Sequence, residues 1–155
     1  EQVLELKPAK DQDNLSLTNF STTWSGFNRT VRAVASGVRS SDQVITLLHF
    51  DSSHFSLGMY LITFDVTQAS GTTINSPITS TRNPIEIITR DNDEVADSDD
   101  NLNKNRFAVK TGSNSITSIL FNDATSSKEP SIALFFHRSA IFDVTISNIK
   151  LQHYS

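Results

Sequence analysis

The chain has 155 residues, a net charge of -4, and 37% hydrophobic against 19% charged residues, enough length for one buried core and too little charge for a disordered coil. It has no cysteine, which excludes a disulfide framework, an iron–sulfur cluster and a thiolate nucleophile. The acidic balance gives no general electrostatic case for nucleic acid.

Ser, Thr and Asn supply 50 of the residues, and Val plus Ile outnumber Ala by 22 to 9, a bias towards strands and turns. The chain opens at Glu1 with no methionine and no signal-peptide pattern, so it reads as a fragment of a longer protein, one β-sandwich domain over 1–155. No apolar run approaches a membrane span, so membrane insertion is not expected. Strands are predicted at 3–6, 15–20, 30–35 and 44–50, with Asn-x-Ser/Thr sequons beginning at Asn14, Asn19 and Asn28. Trp24, the only tryptophan, stands in a polar segment between the second and third of these, either as a solvent-facing platform or as a plug closing one end of the sandwich. The segment from Asp51 to Gly58 reads as a loop or short helical turn leading into a strand in which Tyr60, Ile62, Phe64 and Val66 alternate with Leu61, Thr63, Asp65 and Thr67.

Further strands are predicted at 74–79, 85–89, 106–110, 116–121 and 132–137. The unbroken apolar run from Ile132 to Phe136 requires burial on both faces, in mid-sandwich or against a neighbouring subunit. The last strand alternates through Phe142, Val144 and Ile146, then switches parity to Ile149 and Leu151, as a β-bulge would make it do. The turn signals Ser36-Gly37, Ser70-Gly71, Asn83-Pro84 and Thr111-Gly112 fall between runs. The expected fold is therefore all-β, a two-sheet antiparallel sandwich of jelly-roll type.

Six of the 17 acids crowd into 91–101, where clustered oxygens suit Ca²⁺; Asp97, Asp99 and Asn101 match the first three ligand positions of an EF-hand loop. No glycine follows and Ala108 occupies the twelfth position, so it is not an EF-hand; the segment reads as a solvated loop, with a calcium site of another kind and a catalytic pair of carboxylates as the alternatives. The four histidines lack zinc spacing, and no nucleophile elbow, phosphate loop or dinucleotide fingerprint is present. An enzyme is not expected, and no catalytic residue is assigned.

The stretches Gly58-Met-Tyr-Leu-Ile-Thr-Phe-Asp-Val66 and Phe142-Asp-Val-Thr-Ile-Ser-Asn-Ile-Lys-Leu151 resemble the central and closing strands of jelly-roll carbohydrate-binding modules. Asn148 matches an amide or acid that is generally structural in that closing strand. The family's usual opening, Gly-Asp/Asn-Phe-Glu and then Gly-Trp, is not matched: Trp24 follows Thr23, with Gly26 behind it, so no sugar-binding residue carries over by motif. Such modules recur at the ends of glycan-degrading enzymes and of phage tailspikes and tail fibres. The resemblance implies a non-catalytic module on a virion or in the extracellular space, binding a cell-surface glycan or polysaccharide. The residues expected to serve it are Trp24 for stacking and Arg90, Asn92 and Asp93 for hydrogen bonds to hydroxyls. The same central strand resembles those of tumour-necrosis-factor-like trimeric knobs, which implies a homotrimer with a protein receptor. A polysaccharide hydrolase or lyase is the third reading.

Overall fold

The computed structural model describes residues 2–3, 14–25, 30–49, 58–68, 74–90, 106–120 and 131–153. Its elements are all strands: β1 (Gln2–Val3), β2 (Leu15–Leu17), β3 (Phe20–Ser25), β4 (Thr30–Ala35), β5 (Gln43–His49), β6 (Gly58–Gln68), β7 (Ile85–Arg90), β8 (Arg106–Ala108), β9 (Gly112–Leu120), β10 (Ser131–Phe136) and β11 (Phe142–His153). Every ladder is antiparallel.

The pairings explain the architecture. β7 pairs β8, β6 pairs β9, β5 pairs β10 and β4 pairs β11, which is one long hairpin of eight nested strands. Rolling that hairpin adds the contacts β11–β6 and β10–β7. Two sheets result, β4-β11-β6-β9 and β5-β10-β7-β8, with β2 and β3 extending the first beyond β4 and β1 pairing with β11. This is the jelly roll expected from the alternation and turn spacing.

Inward positions of both sheets form one core. Val31, Phe64, Val144 and Ile146 come from the larger sheet, and Ile45, Ile87, Leu134 and Phe136 from the smaller. At one end of the sandwich Phe136 sits 5.3 Å from Phe20 and 5.5 Å from Phe142, centroid to centroid, tying the sheets together.

The parity switch in the last strand is a bulge. The β11–β6 register slips between Ser147 and Lys150, and Asn148 takes a left-handed φ of 56°. Its amide donates to Asp65 Oδ2 at 2.8 Å, and Ser113 Oγ donates to Asp65 Oδ1 at 3.3 Å, so one carboxylate on β6 holds side chains from both neighbouring strands.

Three expected elements differ. The strand expected at 15–20 is broken by a two-residue turn at Thr18 and Asn19, because Asn19 accepts a φ of 63° and reverses the chain into β3. β3 itself was hidden because one of its inward positions is the polar Thr22, 1% exposed, whose hydroxyl accepts the Leu15 N–H at 3.1 Å. The strand expected at 74–79 is absent: Ile74 is buried and Ile78 packs on the core, but Pro77 interrupts the backbone donors, leaving only an isolated bridge from Thr79 to Arg82. β9 begins at Gly112, four residues earlier than expected, with the glycine at φ 94°.

β10 is buried on both faces, as its apolar run requires, and does so within a single chain. Outside the core face, Phe135 and Ala133 cluster with Ile88 and Val44. The Arg106 guanidinium carbon lies 4.5 Å and that of Arg82 5.7 Å from the centre of the Phe135 ring. Arg106 Nε and Nη2 both donate to Glu86 Oε1, at 3.0 and 2.8 Å, and the Asn83 amide donates to Glu86 Oε2 at 3.1 Å. Burial of this strand therefore requires no second subunit.

Candidate functional site

The end of the sandwich near Phe20 and Phe136 is built from three connections: the β2–β3 turn, the β4–β5 loop at 36–42 and the β10–β11 loop at 137–141. The Ser36 N–H donates to the Asn19 carbonyl at 3.1 Å. Gly37 packs closely on the Asn19 side chain: a Cβ there would lie 3.0 Å from its amide nitrogen, so a larger residue would have to push that side chain aside.

Arg39 is the pin. Its N–H donates to the Arg138 carbonyl at 2.9 Å. Its guanidinium bridges the two loops: Nη1 donates to the Gly37 carbonyl of its own loop at 2.9 Å and to that of Ala140 at 3.0 Å, and Nη2 to that of His137 at 2.6 Å. Beneath it lie the rings of Phe20 and Phe142, with centroids 5.3 and 6.0 Å away. Burial pulls the Arg39 pKa below the usual arginine range, and Asp42 opposes that shift. Asp42 also accepts the Arg138 N–H at 2.8 Å, which fixes the same two loops a second time.

A cleft of about 290 Å³ opens beside this pin, at the lower edge of the range for ligand sites. Thr18, Asn19, Ser40, Ser41 and Gln43 give it hydroxyls and amides, Leu17 and Val38 give it aliphatic surface, and Phe20 and Arg39 complete the lining. No carboxylate lines it. The arrangement can hold a neutral, polyhydroxylated molecule; it contains no pair of acids and no base poised on a nucleophile.

His137 stands behind the pin, 6% exposed, with Nδ1 accepting the Ser139 N–H at 3.0 Å, so its neutral form carries the proton on Nε2. Burial is the main cause that lowers its pKa, aided by Arg138 and Arg82 and opposed by Asp42 and Glu86.

The residues expected to bind ligand are elsewhere. Trp24 lies on the inward side of β3 with Phe20 and Thr22, half-buried and packed against the core, and its N–H donates to Asn14 Oδ1 at 2.8 Å. Arg90 ends β7 opposite Ser131, on the other sheet and at the far end of the strand from Ile85 and Phe136. Its side chain, together with Asn92, Asp93 and the calcium candidates Asp97, Asp99 and Asn101, lies outside the described residues. Among the described residues, no group of three His, Asp or Glu is placed to hold a metal ion. Each of the four described carboxylates is engaged, Asp42 by Arg138, Asp65 by Asn148 and Ser113, Glu86 by Arg106 and Asn83, and Asp143 by Arg32.

Sequence reasoning missed the cleft. Its one local signal is the Ser36-Gly37 turn followed by Val38, an aliphatic side chain in a stretch of otherwise polar loop residues. No family model matches the chain, and no curated protein or solved structure matches it.

Proposed function

We propose that this chain is a non-catalytic glycan-binding module of jelly-roll form, with the end cleft as its combining site. The observation that carries the reading is the lining: five neutral hydroxyl or amide side chains beside two aliphatic ones, with no carboxylate. Such a surface suits a sugar, whose hydroxyls need paired donors and acceptors while its C–H faces need apolar contact. The resemblance of the β6 and β11 sequences to carbohydrate-binding modules supports the same reading. A site this small binds weakly alone and gains strength from repetition, which fits a multimeric parent on a virion or microbial surface, a homotrimer included. Ca²⁺ at the 91–101 segment belongs to this reading only as an accessory and is not required at the cleft.

A glycan array, followed by calorimetry on any hit, tests the reading. Wild type is expected to bind at least one glycan, and Ser41→Ala and Gln43→Ala to weaken it several-fold each, as loss of a net hydrogen bond implies. The bound glycan is expected back intact. No binding to any glycan, or cleavage of the bound one, would overturn the reading.

A further inference from the structure

We infer that the cleft selects an uncharged saccharide by a methyl substituent, either C6 of a 6-deoxyhexose or the acetamido methyl of an N-acetylhexosamine. The inference rests on the glycan-binding reading and names the class of sugar.

The first observation is where apolar surface is left in water. Four large hydrophobic side chains are exposed among the described residues, and two of them, Leu17 at 49% and Val38 at 64%, stand on this one cleft. Scattered apolar residues need no explanation, but two converging on a polar cleft point to a ligand with an apolar group. The second is their shape. A flat sugar face is matched by an exposed aromatic plane, yet the only ring in the lining, Phe20, is 2% exposed and already covered by Arg39. Branched aliphatic surfaces instead suit a small convex group, such as a methyl.

The third observation is charge. The lining holds no carboxylate to receive an amino sugar's cation. Its single cation, Arg39, is 9% exposed and turns both Nη atoms towards backbone carbonyls, so it offers no fork to a uronate or sialate. Thr18, Asn19, Ser40, Ser41 and Gln43 remain for the ring hydroxyls or the amide of an acetamido group.

Matched pairs test this. The whole chain is titrated with L-fucose against L-galactose, and with N-acetylglucosamine against glucose, by calorimetry and saturation-transfer NMR. In at least one pair the methyl-bearing sugar should bind about ten-fold tighter, with the strongest transfer to its methyl protons. Preference in the first pair alone assigns the deoxy sugar; in the second alone, the acetamido sugar. Leu17→Ser and Val38→Ser should erase the preference with little change in melting temperature, since both side chains are largely in solvent already. Val38→Thr, which keeps the shape but exchanges one methyl for a hydroxyl, should weaken it and serves as a second variant if either serine replacement unfolds. Equal binding within both pairs, or a preference that survives these substitutions, overturns the methyl inference while glycan binding stands. Failure of all four sugars alongside a hit on another glycan does the same, and failure of every glycan removes the function on which it rests.

Discussion

Two ion pairs of nearly equal length sit on the two outer faces of this sandwich, and they are not equivalent. Arg32 Nη2 lies 2.7 Å from Asp143 Oδ2 on the larger sheet, with side chains 58% and 25% exposed. Arg106 Nη2 lies 2.8 Å from Glu86 Oε1 on the smaller sheet, with side chains 4% and 3% exposed. Distance alone would rank them together; burial separates them. In water the first pair is screened and gains little over its hydrated ions. The second has lost its water, so each charge depends on the other, on Asn83 and on the Phe135 ring. The larger sheet can therefore lose the Arg32 charge at little cost, whereas the smaller sheet cannot lose that of Arg106.

The sharpest way to break this comparison is to remove one buried partner. Arg106→Ala should destabilise the fold by about 3–5 kcal/mol, read as a fall in the urea midpoint, because it strands the Glu86 carboxylate. Replacing both partners at once, with Arg106→Met and Glu86→Leu, should recover much of that loss. A loss below about 1 kcal/mol for Arg106→Ala would place the pair with ordinary surface bridges and dissolve the distinction.

A second test uses pH on the same face. His137 packs edge-on against Phe135 at 6.3 Å, and its folded pKa is lowered, chiefly by burial. With the folded value below the unfolded one of about 6.5, its contribution to stability is complete above that pH. It declines as pH falls through 6.5 towards the folded value, because the unfolded chain takes the proton first. Protonation would also turn Nδ1 from acceptor to donor against the Ser139 N–H, at the turn that receives Arg39. Melting temperature measured from pH 8 to 5 should fall on the acid side, and His137→Gln should flatten that fall; parallel curves for the two proteins would count against it.

The smallest effect is expected from Arg32→Ala, whose melting temperature should match wild type within error, in low salt or high. Asp143 has its pKa held down by the hydrogen bond from Arg32, so the pair's contribution is present above the ordinary carboxylate value of about 3.9 and goes as pH drops through the lowered one. A clear loss at neutral pH would show that this pair too is sheltered.

Much of the fold was legible because alternation is local. The run from Tyr60 to Val66 gave the inward face of β6, and the switch after Ser147 gave the bulge, since a strand can change sides only by gaining or losing one residue. β3 was not legible: the inward Thr22 looks like a surface residue until its hydroxyl is seen to accept the Leu15 N–H. The false strand at 74–79 had apolar ends at Ile74 and Ile78, which pack on the core without a ladder. The cleft was hard to read because Val38 and Arg39 belong to a loop, which has no period, and Leu17 ends β2, a strand of three residues that is too short to show one.

By itself, then, the sequence determined the class of fold, the inward faces of the long strands and the double burial of Ile132 to Phe136, all of which follow from side-chain alternation and apolar content. Only tertiary structure decided that Arg39 reaches Ala140 and His137, about a hundred residues along the chain, and that Glu86 meets Arg106 out of water. It also decided that a turn and a loop leave a polar cleft between two aliphatic side chains. Those outcomes depend on which strands become neighbours when the nested hairpin rolls up, and no local pattern encodes that geometry.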